Sequence, residues 1–402
     1  MTRLTNENVS LKSTCSLARS WDAINLLNRR QAARNTPASL SGMAALNHAY
    51  NLIEECKQLG TWNFSILARH AFIAESLLRS AVSRGAIDPE RVVLLKRSLH
   101  TITSDLMDDY ERVAKSEITQ ATFMEKYGHL RPGTYDITSL RYDERTDLFM
   151  QVQASQCSQS TEHFELLPHE ERGLNQLLDE AGISSIDGTT LIEYARRAIT
   201  GREWGKFIFT RNLSDALESL LRWGESEGLS RDDLSFLPWS ELTAVLREPL
   251  LDHADRYFIG KAEEGRCALR AAQALKLGYL LRGVGDMYVV PLYRSVANYI
   301  GSGLIEAPVQ ILDGRSTGTV KLLGKIACIE NADPGFDWIF TKGIKGLITK
   351  FGGTNSHMAI RCAEFGLPAA IGCGEQMYKR VSTCGTALLD CDGKRLRPVY
   401  GN

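Results

Sequence analysis

The stretch KFGGTNSHMAIRCAEFGLP, residues 350–368, predicts the end of a strand, a sharp turn and a short helix in immediate succession. Gly352 and Gly353 let the backbone turn tightly and approach a ligand without interference from a Cβ atom. Asn355 or Ser356 provides a good N-cap for the helix that follows. The sequence therefore predicts a strand–turn–helix unit around which this part of the chain is organised.

His357 falls in the first turn of this predicted helix, which Gly366 is placed to end. Unpaired backbone N–H groups and the positive end of the helix dipole concentrate in that turn. Their field disfavours protonation of an imidazole, which keeps a ring nitrogen available as a nucleophile. The same field favours an anion, including a phosphoryl group carried on the ring. His357 is therefore a candidate catalytic residue.

The candidates for holding such a phosphoryl group are Gly353, Thr354, Asn355, Ser356 and Arg361. The two hydroxyl groups among them can donate hydrogen bonds to phosphoryl oxygens. Arg361 lies four residues after the histidine, on the same helical face, where its charge can pair with the same anion. The residues alone leave two interpretations open, a phosphohistidine or a capping, partly buried surface histidine.

Residues from about 40 to 285 show apolar side chains at helical spacing. The segment at 211–224 carries such a stripe and then Gly224 as a predicted stop, and the segment at 65–85 also ends at a glycine. Asp88 and Pro89 mark a helix start. After about residue 290, short apolar runs between Gly, Pro and Asp turns predict strands, with two helices near 335–344 and 355–365. We therefore predict a helical region over 1–290, a connector with the first strands over 291–320, and a compact α+β domain over 321–402.

One loop, KYGHLRPGTYDITSLRYDE at 126–144, interrupts the helices. It is dense in polar side chains, and loops on rigid scaffolds often carry function. His129 suits an acid or base, Arg131 an oxyanion clamp, and Tyr135 with Asp136 the orientation of an acceptor, with Arg141 as a second cation. The alternative is a rigid Pro–Gly turn whose polar groups satisfy neighbouring backbone.

Composition argues against several classes of function. The 402 residues have a formal net charge of −1, which argues against nucleic acid as a partner. We expect no membrane span, because no run of 18 uncharged apolar residues occurs, and no signal peptide, so a cytoplasmic location is predicted. Nine cysteines without a C-x-x-C pair support neither zinc nor dithiol chemistry, and we predict no metal ligands in this chain.

The segment GLITKFGGTNSHMAIRCAEFGLPAAIGCG, 346–374, resembles the phosphohistidine signature of the phosphoenolpyruvate-utilising enzymes, the family of phosphoenolpyruvate synthase, pyruvate phosphate dikinase and rifampin phosphotransferase. It departs from that pattern at Asn355, where Thr is common, and at Arg361-Cys362, where Val-Ala is usual. Residues 324–340 resemble the segment that opens the same domain. More weakly, 126–144 resembles a Gly-His-Arg-x-Pro-Gly-x-x-Asp segment in the helical acceptor region of related kinases.

The resemblance implies a mostly α-helical acceptor and linker region followed by a swivelling β/β/α domain, whose histidine, His357, carries a phosphoryl group from ATP to a small-molecule acceptor. The family phosphorylates its histidine with an ATP-grasp domain, and no segment here resembles one. We therefore expect Mg²⁺ and ATP to be bound by a separate ATP-grasp domain or subunit. The acceptor group can be a hydroxyl, a carboxylate or an amino-acid amide, and the arginines of the loop favour a carboxylate. Two alternatives stay open: an incomplete regulatory or binding subunit, and a phosphocarrier fed by another phosphohistidine protein.

Overall fold

The computed structural model describes residues 6, 9, 11–34, 40–145, 148–149, 163–248, 253–274, 277, 281–288, 296–314, 320–354 and 356–399. The chain divides into two compact units. The first comprises Met1–Ala38, Tyr50–Tyr127 and Gln156–Ala216, and the second comprises Ser39–Ala49, Gly128–Ser155 and Leu217–Asn402. Most of the predicted loop and all of the predicted strands therefore belong to the same unit. No helix in the described ranges is long and apolar enough to cross a membrane.

Helices make up most of the described chain before residue 289, as the sequence predicted. The α-helices are α1 Ser16–Ala33, α2 Gly42–Glu55, α3 Trp62–Ser83, α4 Pro89–Arg97, α5 Ile102–Ala114, α6 Gln120–Tyr127, α7 Pro168–Glu180, α8 Gly188–Ser226, α9 Arg231–Ser235, α10 Trp239–Ala244 and α11 Ala254–Ala274. A π-helical turn, Cys56–Thr61, joins α2 to α3, and 3-10 helices occupy Tyr142–Glu144 and Val284–Tyr288.

The helix boundaries confirm two sequence signals and correct one. Pro89 occupies the first position of α4, and Gly85 follows α3 with a φ of +72°, a conformation that favours glycine. Gly224, by contrast, does not stop α8, which continues to Ser226. A Cβ atom at Gly224 would lie 2.7 Å from Cδ1 of Leu234, so this glycine serves close helix packing instead.

The described residues after 296 form a seven-stranded sheet in the order β1-β5-β4-β3-β2-β6-β7. The strands are β1 Asn298–Ile300, β2 Leu304–Leu312, β3 Ile326–Asn331, β4 Gly346–Phe351, β5 Ala369–Ile371, β6 Thr386–Asp390 and β7 Arg395–Val399. Strands β2, β3, β4 and β5 are parallel, whereas β1, β6 and β7 join antiparallel. Helical residues followed by this sheet confirm the predicted fold class.

Within the described ranges, the connections of the sheet contain a 3-10 helix at Pro334–Lys342, α12 at His357–Glu364 and α13 at Gly374–Cys384. The sequence predicted the first two and missed α13. Tyr378 and Val381 of α13 are buried in the core with Ile326 and Ile348 of the central strands. This burial of one helical face against the sheet explains why α13 forms without a strong start signal.

The parallel pairing of β3 with β4 determines where the segment that begins with His357 lies. Strand β3 lies beside β4, with Asn331 opposite Phe351 at their carboxyl ends. The 3-10 helix Pro334–Lys342 follows β3, and α12 follows β4. Because the carboxyl ends of neighbouring parallel strands lie at one edge of a sheet, the segments that leave them meet there.

Candidate functional site

His357 is the first residue of α12, and the ends of this helix are built as the sequence predicted. Ser356 has extended N-cap geometry, and its Oγ accepts a hydrogen bond from the backbone N–H of Ala359 at 3.4 Å. At the other end, Gly366 has a φ of +61°, and the N–H of Leu367 donates to the carbonyl oxygen of Cys362 at 2.8 Å. This C-terminal arrangement is a Schellman motif, so the helix has a fixed start and a fixed stop.

The imidazole of His357 is paired with a carboxylate that sequence reasoning missed. Its Nε2 lies 2.7 Å from Oδ1 and 2.8 Å from Oδ2 of Asp337, in the 3-10 helix after β3. The side chains are 13% and 3% exposed, respectively. A carboxylate at this distance favours a proton on Nε2 and so opposes the effect of the helix dipole. The signal available in the sequence was an acidic residue in the segment after the neighbouring strand.

Arg361 is buried, with 4% of its side chain exposed, and its Nη1 pairs with the carboxylate of Glu364. Its guanidinium also lies over the ring of Phe365, 5.8 Å from the centroid. Nη2 is buried and makes no hydrogen bond within the ranges that the structure describes. The charge of Arg361 is therefore largely committed to Glu364, while one nitrogen retains capacity for another acceptor.

The two glycines of the turn before α12, Gly352 and Gly353, differ in how closely other atoms approach them. A Cβ atom on Gly352, whose φ is +136°, would lie 2.9 Å from Cβ of Ala332, so only glycine fits there. An added Cβ atom on Gly353 would meet no atom within 4 Å among the residues that the structure describes, its two chain neighbours aside. Thr354 is exposed. Asn355, the remaining predicted phosphoryl-binding residue, lies outside the described residues.

Arg131 points into the loop, an arrangement that differs from the predicted oxyanion clamp for substrate. The side chain is 1% exposed, and Nη2 pairs with Oε1 of Glu218 at 2.7 Å. Nη1 donates to the carbonyl oxygens of Ser139 at 3.1 Å and Asp136 at 3.4 Å. Burial lowers the pKa of Arg131, while the nearby Glu218 carboxylate acts in the opposite direction. The guanidinium therefore binds the backbone of the loop from inside, while its role as a clamp on substrate stays a prediction.

The predicted acceptor residues of the loop separate into buried and exposed positions. His129 is 4% exposed, whereas Tyr135 is 67% exposed and Asp136 is also exposed. Oδ1 of Asp136 accepts hydrogen bonds from the backbone N–H and the hydroxyl of Thr138 at 2.8 and 2.7 Å, which closes a turn. The surface of the loop is thus formed in part by the Tyr135 ring, while His129 lies inside.

Arg141, the second predicted cation, forms a two-pronged pair with a neighbouring carboxylate. Its Nε donates to Oδ1 of Asp143 at 3.0 Å, and its Nη2 donates to Oδ2 at 2.7 Å. The backbone N–H of Arg141 also donates to Oε2 of Glu144 at 2.8 Å. These bonds stabilise the start of the 3-10 helix Tyr142–Glu144 and engage much of the charge of Arg141 locally.

The loop packs on the 3-10 helix that carries Asp337. Oη of Tyr142 donates to the carbonyl oxygen of Gly335 at 3.0 Å. The hydroxyl of Thr134 donates to Oδ2 of Asp333 at 3.2 Å. Both contacts lie within four residues of Asp337 along the chain, so the loop supports the segment from which this carboxylate reaches the histidine.

Two longer side chains extend this contact. Nζ of Lys342 donates to the carbonyl oxygen of Leu148 at 2.9 Å, and the guanidinium of Arg145 lies 4.4 Å from the ring centroid of Trp338. The structure therefore brings the loop and the histidine site into one connected arrangement, with Asp337 between them. No group of three or more His, Cys, Asp or Glu side chains placed to hold a metal ion occurs in the described ranges.

Comparisons with known proteins agree with this architecture. Residues 323–394 match the family model of the PEP-utilising enzyme mobile domain. The chain is 25% identical over 299 residues to the rifampicin phosphotransferase of Bacillus cereus, covering 69% of this chain and 33% of that protein. It is also 25% identical over 330 residues to the rifampicin phosphotransferase of Streptomyces sviceus, covering 74% of this chain and 35% of that protein.

A shorter match, 28% identical over 119 residues, links the chain to phosphoenolpyruvate synthase of Pseudomonas aeruginosa and covers 30% of this chain and 14% of that protein. The chain spans about a third of the length of the rifampicin phosphotransferases it matches, at 33% and 35%. These matches confirm the resemblance drawn from residues 346–374.

Proposed function

Because residues 323–394 carry the mobile domain of the PEP-utilising enzymes, we propose that this chain is a phosphotransferase component whose His357 carries a phosphoryl group to a small-molecule acceptor. The observation that carries the proposal is the position of this histidine. It begins a helix capped at both ends, at the carboxyl edge of parallel strands, and 13% of its side chain remains exposed. Such a position suits an anion bound to the ring.

The surroundings of His357 offer groups for the phosphoryl oxygens. Among the described residues, none approaches the Cβ position of Gly353 apart from its chain neighbours, and Thr354 is exposed, which favours room for the phosphoryl group on this side. Nη2 of Arg361 is a buried donor with no hydrogen bond in the described ranges, and a phosphoryl oxygen would satisfy it. Ser356 contributes mainly through its N-cap bond.

The predicted loop at 126–144 is the proposed acceptor side of the site, since its residues Tyr142 and Thr134 contact the 3-10 helix that holds Asp337 and the N-cap of that helix. Arg131 and Arg141 are paired with Glu218 and Asp143, so they no longer favour a carboxylate-bearing acceptor. The ring of Tyr135 is 67% exposed and offers an aromatic surface. The name of the relatives makes rifampicin the first acceptor to assay.

ATP and Mg²⁺ would be supplied by an ATP-grasp domain or subunit. The test is to incubate the purified chain with ATP labelled at the γ-phosphate, Mg²⁺ and an ATP-grasp partner. We expect an acid-labile, alkali-stable label that is lost in His357→Ala. His163→Ala is the matched control, because the side chain of that histidine is 79% exposed and belongs to the first unit.

Label that persists in His357→Ala would overturn the carrier role. No label from ATP or from a phosphorylated histidine protein would favour a binding subunit instead. Label from the phosphorylated protein alone would favour the phosphocarrier alternative.

A further inference from the structure

Part of one side of the sheet, formed by β2, β6 and β7, is open to solvent. Residues directly opposite one another on neighbouring strands point to the same side of a sheet. The pairing of β2 with β6 and of β6 with β7 therefore places side chains in rows across the strands. The first row is Leu304, Asp390 and Arg395, and the second is Glu306, Leu388 and Arg397. The last row begins at Pro308 and contains no charged side chain. We call these rows the open face.

The open face lacks the cover that the same side of the sheet has at its centre. Ala327 of β3 and Leu347 of β4 lie on that side and are 0% exposed. In the open face, by contrast, Leu304 is 65% exposed, and Glu306 and Arg397 are also exposed. The other side of β2, β6 and β7 packs into the core with α13. These strands therefore have one buried side and one side on which apolar and charged groups meet solvent.

The charges of the open face are balanced. Nη2 of Arg395 lies 2.8 Å from Oδ2 of Asp390, so the first row is close to neutral. The second row has a carboxylate at one end and a guanidinium at the other, with Leu388 between them. A strongly acidic or strongly basic partner would meet a like charge for each opposite one, which disfavours nucleic acid and anionic membranes. A surface with the same alternation of charge is the better fit.

We propose that the open face binds the open face of a second copy of this chain, around a two-fold axis that runs along β6. Such an axis exchanges the β2 side of one copy with the β7 side of the other. Glu306 of each copy then faces Arg397 of its partner, and Leu388 faces Leu388. A two-fold axis across the strands would instead place Glu306 against Glu306 and Arg397 against Arg397, so repulsion between like charges selects the axis along β6.

The size of the open face determines the strength of the dimer. Strands lie roughly 4.8 Å apart and rise roughly 3.4 Å per residue, so three short strands cover much less than the roughly 800 Å² per partner of a standard interface. We therefore expect a weak dimer that forms only at high protein concentration. The open face uses the first half of β2, whereas His357 follows the carboxyl end of β4. The inference is therefore independent of phosphoryl transfer.

Sedimentation velocity of the full chain over a wide range of concentration tests the dimer. The sedimentation coefficient should rise with concentration. Arg397→Glu and Glu306→Arg each place like charges opposite one another and should lower the association constant by about tenfold or more. Lys379→Glu is the matched control, because it reverses an exposed charge on α13, which packs on the other side of the sheet. It should associate like the unmodified chain.

The decisive measurement mixes the two single variants. In a pair of one Glu306→Arg chain and one Arg397→Glu chain, opposite charges meet at both ends of the second row, so the mixture should form a heterodimer although neither variant pairs with itself. Misfolded variants would not regain association in this way. The double variant, with both reversals, should associate like the unmodified chain. An unmodified chain that stays monomeric at every concentration, or a dimer that neither reversal weakens, would overturn the proposal. Failure of the mixture to associate would overturn the axis along β6.

Discussion

The phenol of Tyr142 donates a hydrogen bond to the carbonyl oxygen of Gly335 at 3.0 Å, in a buried contact. At the same point, a Cβ atom on Gly335 would clash with the carbonyl group of Arg131. The loop therefore packs directly against the backbone of Gly335, two residues before Asp337. This contact joins the loop to the segment that carries Asp337.

Gly335→Ala should separate the loop from the 3-10 helix, because the added methyl group meets backbone that cannot move aside easily. We expect a loss of about 1–3 kcal/mol in the free energy of unfolding of this unit. Hydrogen exchange measured by mass spectrometry should become faster over 128–145. Gly260→Ala is the control, since among the described residues no atom outside the adjacent backbone of its own helix lies within 4 Å of its Cβ position. Unchanged exchange over 128–145 would contradict the prediction.

Tyr142→Phe removes one hydroxyl and leaves the buried carbonyl oxygen of Gly335 without that donor. The expected cost is about 1–3 kcal/mol in the free energy of unfolding, measured by urea denaturation. The change should be confined to the loop and the 3-10 helix in hydrogen exchange. Tyr135→Phe serves as the control, because that ring is 67% exposed. Equal stability of the two variants would show that the Tyr142 bond is unimportant.

Glu218→Gln leaves the guanidinium of Arg131 buried without its carboxylate. Removing one partner of a buried ion pair costs about 3–5 kcal/mol, and the 20% exposure of Glu218 places the expected loss at the lower end. Thermal unfolding should therefore occur at a clearly lower temperature. Glu225→Gln, on an exposed glutamate of the same helix, should have little effect. A similar small effect from both changes would argue against the structural role of Arg131.

Ser356→Ala and Ser356→Asp separate capping from phosphoryl binding. Alanine loses the N-cap bond to Ala359 and should cost about 1 kcal/mol. Aspartate is also a good N-cap residue, so Ser356→Asp should leave the free energy of unfolding unchanged. Because it places a negative charge beside the proposed phosphoryl group, it should lower the yield of phosphohistidine. Urea denaturation and acid-labile phosphate measure the two effects. An undiminished yield in Ser356→Asp would place the phosphoryl group away from this residue.

His70, in the first unit, should make stability depend on pH. It is 2% exposed and bonded to Ser16 and Tyr194, and burial lowers its pKa from 6.5 to about 4. The unfolded chain binds a proton on this imidazole more readily than the folded chain does. The contribution of neutral His70 to the free energy of unfolding is therefore fully present above pH 6.5. It decreases by about 3 kcal/mol as the pH falls toward 4. Hydrogen exchange over 62–83 measures it. His70→Gln should flatten this dependence, and an unchanged pH profile in that variant would contradict the assignment.

The local elements of the fold were predictable because their signals lie within a few residues. Ser356 and Gly366 set the ends of α12, and the short apolar runs indicated the strands from β2 onward but not β1. Helix α13 was missed because its formation depends on packing against Ile326 and Ile348. Gly224 was misjudged for a similar reason, since its role depends on Leu234.

The sequence by itself determined that His357 begins a helix, because N-caps and glycine turns act through the backbone of neighbouring residues. Only the tertiary structure decided which charges face one another. Asp337 reaches His357 because parallel strands bring segments 20 residues apart to one edge. Arg131 turns inward because Glu218, far along the chain, compensates its burial. Electrostatic partners depend on distance in space, which spacing along the chain does not specify.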